Sequence, residues 1–86
     1  AIEALTFATA KIGVKDNILV NAIRPGATKT NFHKRNMGRK NLIARTKLVP
    51  LKRMAHPNEI SNAVMFLCDP KSSFITNSVL DIRGGE

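Results

Sequence analysis

The chain holds one cysteine, Cys68, and neither tryptophan nor tyrosine. A single thiol closes no intrachain disulfide and offers no cysteine-rich metal framework, which fits a reducing compartment. Four phenylalanines, Phe7, Phe32, Phe66 and Phe74, are the whole aromatic complement. That is too few for the stacking platforms that grip single-stranded nucleic acid. No charged-then-apolar leader is read, and no apolar run approaches the roughly 18 residues that cross a bilayer. The expectation is a soluble, cytoplasmic protein with no membrane and no metal.

Carboxylates are also scarce where it matters. None occurs between Asp16 and Glu59, while nine of the fourteen lysines and arginines fall between Lys29 and Arg53, within a net charge of +8. Such a block suits nucleic acid, an acidic partner protein or a phosphate-bearing ligand, and it equally suits a solvated face on a mobile insert. No helix-turn-helix, zinc-finger or RNP-type signature supports a nucleic-acid reader, so no nucleic-acid partner is expected.

The stretch ILVNAIRPGATKT, Ile18–Thr30, carries the most information. Its apolar start reads as a strand over Ile18–Ile23 covered on both faces, as in a parallel sheet between helix layers. Pro25 cannot donate a ladder bond; Gly26 lets the backbone turn and lets something approach closely. Ligands in open α/β sheets bind just beyond the carboxyl ends of strands, so Pro25, Gly26, Thr28 and Thr30 mark a candidate ligand loop. Asn21, inside the apolar run, needs buried partners and reads as a structural clamp.

The rest of the chain supplies layers. Apolar residues at 1, 2, 4, 5, 8 and 12 predict a helix over Ala1–Ile12, which Gly13 is placed to end in a left-handed conformation. No capping residue precedes Ala1, so that helix is expected to begin upstream. From Asn31 to Val49 the pattern is basic and irregular, broken by Gly38, and reads as a substrate loop or lid of low stability. Pro57, Glu59 and the spacing Ile60, Ala63, Val64, Leu67, Cys68 predict a helix that Asp69-Pro70 ends, and Arg53 is placed to pair with Glu59. Ser78–Ile82 reads as a second strand, released by Gly84-Gly85. Helix, strand, lid, helix, strand is the order of a parallel α/β sheet. An 86-residue domain buries roughly 60% of its unfolded surface, and two fully covered strands need more layers than these; a piece of a larger domain is expected.

AIEALT, VNAIRPGATKT, PLKRMAHPNEISNAVMFL and SFITNSVLDIRGG, in this order, resemble consecutive C-terminal blocks of the short-chain dehydrogenase/reductase family, with a flavour of its 3-oxoacyl-carrier-protein reductase-like branch. The resemblance covers nearly the whole chain. It implies the C-terminal portion of a Rossmann-type doubly wound domain binding NAD or NADP, with residues 1–86 one segment of that single domain. It further implies that the cofactor-binding half and the catalytic Ser, Tyr and Lys precede Ala1, leaving this chain inactive alone.

By the same resemblance Pro25 and Gly26 match the turn against the nicotinamide, Thr28 matches a backbone contact to its carboxamide, and Thr30 matches a hydroxyl contact near the carboxamide or pyrophosphate. Residues 31–49 match the variable substrate loop. The basic cluster Lys34, Arg35, Arg39 and Lys40 then implies an anionic or carrier-linked carbonyl or alcohol substrate. A homo-oligomer is the other implied partner. Arg24, Asn77 and Arg83 depart from the family pattern, where small residues, Gly and an acidic residue are usual. The rival reading is a non-catalytic truncated reductase acting as an interaction module through its basic lid.

Overall fold

The computed structural model describes residues 1–86, except for the side chains of 32–34. Phe32 and Lys34, named above, are therefore outside the described side chains. In chain order the elements are α1 (Ile2–Gly13), β1 (Ala22–Pro25), α2 (Asn31–Asn36), α3 (Arg39–Lys47), α4 (Pro57–Cys68) and β2 (Val79–Ile82). Single 3-10 turns occupy Val14–Asp16 and Pro70–Ser72. β1 and β2 pair in parallel, Ala22 opposite Val79 and Pro25 opposite Ile82. The fold is α/β with a parallel sheet, as the residue pattern predicts.

α1 continues one residue past its expected end. Gly13 stays right-handed at φ −67°, and the left-handed residue is Asn17 at φ 57°. The Asn17 amide donates to the Val14 carbonyl and the Ile18 amide to the Gly13 carbonyl, the paired bonds of a Schellman motif. Asn tolerates that conformation better than other residues with a Cβ. Gly13 is small for a different reason: a Cβ there would stand 2.8 Å from the Ile18 carbonyl oxygen.

The strand that begins at Ile18 in the sequence pattern begins at Ala22 in the structure. Upstream of it, side chains replace the ladder. The Val20 amide donates to Thr76 Oγ1 at 3.0 Å, and the Asn77 amide to the Val20 carbonyl at 2.8 Å. Asn21 donates through Nδ2 to the Ile75 carbonyl at 3.1 Å and accepts from the Ser78 amide at 3.0 Å. Asn21 is thus the expected clamp, and it sets the register that follows. Asn77 sits left-handed at φ 56°, the conformation for which Asn is the best substitute for glycine.

α4 matches its sequence signals closely. Pro57 opens it, and the Glu59 carboxylate reaches back to accept from the His56 amide at 2.9 Å. Beyond its end the buried Ser72 hydroxyl donates to the Phe66 carbonyl at 2.6 Å. α3 is built less firmly. Arg39 and Lys40 sit in its first turn, where positive charge opposes the helix dipole, and Gly38 gives no side-chain cap.

The described residues do not cover both faces of the strands. Arg24 and Pro25 are exposed, Leu80 is at the exposed margin, and Ile18 lies 54% open. The fully buried apolar residues among those described are Ala10 and Val49. A radius of gyration of 15.8 Å compares with about 12 Å for a compact domain of this length. Four short helices beside a two-stranded sheet cannot close a layer over each face, so apolar residues such as Leu5, Ile12 and Phe74 stay open. The clamp is directly testable. Asn21→Ala removes two half-buried hydrogen bonds and strands the Ser78 amide, a loss of about 1–3 kcal/mol. In urea unfolding the midpoint should fall with an unchanged slope; a midpoint equal to wild type would refute the clamp.

Candidate functional site

The segment leaving β1 is built by backbone pairing at both ends. The Gly26 amide donates to the Ile82 carbonyl at 3.0 Å and extends the parallel ladder one step past Pro25. Gly26 is not among the residues with positive φ, so the turn itself does not demand glycine. Close approach does. A Cβ on Gly26 would stand 3.0 Å from Arg83 Cα and 3.2 Å from Arg83 Cβ, so the neighbour the sequence pattern anticipates is the chain just after β2.

Further on, Thr28 Oγ1 donates to the Gly26 carbonyl at 3.0 Å, which folds the loop onto itself. The Ala55 amide then donates to the Ala27 carbonyl at 2.9 Å, and the Lys29 amide to the Ala55 carbonyl at 2.8 Å. These bonds make Thr28 and Ala55 a parallel bridge. The loop is thereby stapled to the connector that leads into α4.

The four candidate residues fall on two sides of this stapled segment. Pro25 and Gly26 line an open groove of about 510 Å³ with Met37, Arg45, Arg83 and Glu86. Thr30 lines a separate cavity of about 340 Å³, against Leu42 and Thr46 of α3 and Met54 and His56 of the connector. Thr28 lines neither, and its hydroxyl is already engaged. The structure brings the four together as one strip of backbone rather than around one pocket.

Three arginines brace the strip through four ion pairs. Arg24 grips Asp81 across the strands through Nε at 2.7 Å and Nη2 at 3.2 Å, and reaches Glu3 of α1 through Nη1 at 2.6 Å. Hydrogen bonding to Arg24 holds the Asp81 carboxyl below its ordinary range, and the same bond raises the guanidinium. Arg45 of α3 reaches Glu86 at 2.9 Å, while its Nη1 is buried with no hydrogen-bond partner among the described residues. Arg53 meets Glu59 through both nitrogens, at 2.7 and 2.9 Å. The pairing of Arg53 with Glu59 was legible in the sequence; the partners of Arg24 and Arg45, 57 and 41 residues away, were not.

Arg35, Arg39 and Lys40 are exposed and line none of the described cavities, and the Lys34 side chain lies outside the described residues. Lys29, Lys52 and Arg53 border the cavity beside Thr30, and Arg45 and Arg83 border the groove beside Gly26. Lys52 is held left-handed at φ 60°, a conformation that nothing in its local sequence signals. Among the described residues no cluster of potential metal ligands occurs, and no helix is long and apolar enough to cross a membrane.

Across residues 1–86 the chain matches the protein family described as enoyl-(acyl carrier protein) reductase. It is 40% identical over 86 residues to a chloroplastic tropinone reductase homolog of Arabidopsis thaliana, covering 99% of this chain and 27% of that one. A short chain dehydrogenase family protein from Francisella tularensis superposes with a TM-score of 0.86 at 33% identity, over 98% of this chain and 39% of its own. An NADPH dependent reductase involved in bacilysin biosynthesis superposes equally well, at 0.86, over 96% of this chain and 35% of its own; at 24% identity that likeness is one of fold. The chain spans about a third or less of the length of the first curated relatives it matches.

The Glu59 carboxyl gives the region a pH signature. The hydrogen bonds from Arg53 and from the His56 backbone pull its pKa from 4.5 down to about 2. A depressed carboxyl contributes stability that is present above its unfolded value and is lost as the pH falls through the folded one. The stability gap between wild type and Glu59→Gln should therefore be constant at neutral pH and close as the pH falls from 4.5 toward 2. Paired urea titrations over that range check it, and a gap that is flat to the acid end would refute the pairing.

Proposed function

Because the chain belongs to the short-chain dehydrogenase/reductase family, we propose that it forms the nicotinamide-side loop and substrate lid of an NAD- or NADP-dependent oxidoreductase. The observation that carries this is the strip Pro25–Thr30. It leaves the carboxyl end of a parallel strand, where α/β sheets bind ligands, and it is stapled on both sides so that it keeps its shape. The cofactor, when bound, supplies or accepts hydride.

The residues of the strip fit such a group. Exposed Pro25 and half-buried Gly26 offer backbone beside the groove, Thr28 offers its backbone while its hydroxyl stays on Gly26, and Thr30 borders the neighbouring cavity. A threonine hydroxyl both donates and accepts, so it suits an amide on the ring. Their work is orientation, fixing which face meets the substrate, and not proton transfer. Acid–base chemistry falls to a Ser, Tyr and Lys that we place outside these residues; the chain has no tyrosine. The open apolar side chains of α1 are the surface we propose the rest of the domain, or a second copy, covers.

The residues 31–49 that follow the strip act as the lid. Their far end is fixed: Val49 is buried, and glycine at 84, at φ 62°, is required because a Cβ there would stand 2.7 Å from Val49 Cγ1. A carbonyl or alcohol substrate of the acyl-carrier-linked kind is supported by the description of the matching family and by the positive charge of this region. The same two features support a reading within the 3-oxoacyl-carrier-protein reductase-like branch.

Two measurements test the proposal. The protein carrying this chain should oxidise NADPH or NADH with an acetoacetyl thioester or a simple ketone. Thr30→Val should then weaken cofactor binding about three- to tenfold, the worth of one neutral hydrogen bond, with the fold unchanged by circular dichroism. No turnover with either nucleotide, or unchanged cofactor affinity in Thr30→Val, would sink the assignment of the strip.

A further inference from the structure

The cavity beside Thr30 has a floor and a rim of opposite character. Leu42 and Thr46 of α3 and Met54 of the connector are half-buried and form an apolar floor. Lys29, Lys52, Arg53 and His56 are exposed around it, and no carboxylate is among the described residues that line it. Arg53 is already matched by the two oxygens of Glu59. The charges left over are the two ammonium groups.

Those two are anchored where they stand. The Lys29 amide is tied to Ala55, so its Cα is fixed by the bridge that staples the loop. Lys52 is held at φ 60°, with its amide on the Val49 carbonyl and one Nζ proton on the Lys47 carbonyl at 2.8 Å. An ammonium has three donors, so two remain on Lys52. Backbone strain of this kind collects where a side chain must be aimed. A volume of about 340 Å³ lies at the lower end of the range of ligand pockets.

We infer that this cavity binds an amphiphilic anion, a phosphate or carboxylate carried on a short apolar stem, with Lys29 and Lys52 on the charge and Leu42 and Met54 against the stem. This assigns anion recognition to residues outside the Lys34–Lys40 cluster. That the anion is the charged end of the substrate rests on the oxidoreductase reading; that the cavity takes it does not.

The test uses the full protein and octyl phosphate, followed by calorimetry, with octanol and inorganic phosphate as single-feature controls. Octyl phosphate should saturate one site, bind more tightly than either control and weaken as salt rises. A Lys29→Gln/Lys52→Gln double variant should lose at least about tenfold in affinity, and Leu42→Asp should lose the advantage of the alkyl stem. NADPH affinity should stay within about twofold in Lys52→Gln, which lies outside the strip. No saturable octyl phosphate binding, or binding that the double variant leaves intact, overturns the inference. A loss of NADPH affinity in Lys52→Gln overturns it too, because the cavity would then hold the cofactor's phosphates. Octyl phosphate binding that depends on the two lysines, in a protein that turns over no carbonyl substrate, upholds the site and refutes the oxidoreductase reading instead.

Discussion

Two four-residue strands, separated in sequence by more than fifty residues, have to find each other in one register, and every other feature of the chain is arranged around that pairing. Closing so long a loop is entropically costly, and four ladder positions alone hold it weakly. The chain adds specific polar contacts at both ends of the pair. Asn21, Thr76 and Asn77 lock the entrance with side-chain and backbone bonds, and the two-pronged grip of Arg24 on Asp81 locks the middle. A slip of one residue would break all of these together, so register is enforced by polar geometry where apolar burial is thin.

Once the register is set, the position of the candidate loop follows from local chemistry. Gly26 meets Arg83 because both immediately follow their strands, and the Thr28–Ala55 bridge exists because Pro57 and Glu59 fix where α4 starts. The proposed lid between these anchors is different in kind. α3 carries four cations in nine residues and little apolar surface, so its hold depends on Leu42 and Thr46 below it and on Arg45 reaching Glu86. A rigid strip beside a weakly built cover is the division of labour expected where a ligand must enter and be held.

Much of this was legible in the residues. The apolar run before Pro25-Gly26 and the proline and glutamate ahead of Ile60 each carry a local signal, and the structure places a strand end and a helix start there. Local signals mislead where a second, distant group decides. Gly13 resembles a helix terminator, yet Asn17 performs that role and Gly13 only makes room for Ile18. Likewise Lys29 and Lys52, 23 positions apart in sequence, share a cavity because a bridge draws their segments together, while Arg35, Arg39 and Lys40 of the denser basic run line none of those described. Charge density is a property of sequence, whereas enclosure is a property of topology.

The contact between Gly26 and Arg83 has a consequence for how this architecture can change. With the space above Gly26 filled by the backbone after β2, the tail from Arg83 to Glu86 works as a wedge that sets the height of the loop. The same tail holds α3 through Glu86. Exchanging only residues 83–86 between relatives would retune both the loop and its cover while leaving each of their sequences untouched, so chimaeras that swap the segment after β2 are a route to altered selectivity that point changes in the loop would not reach.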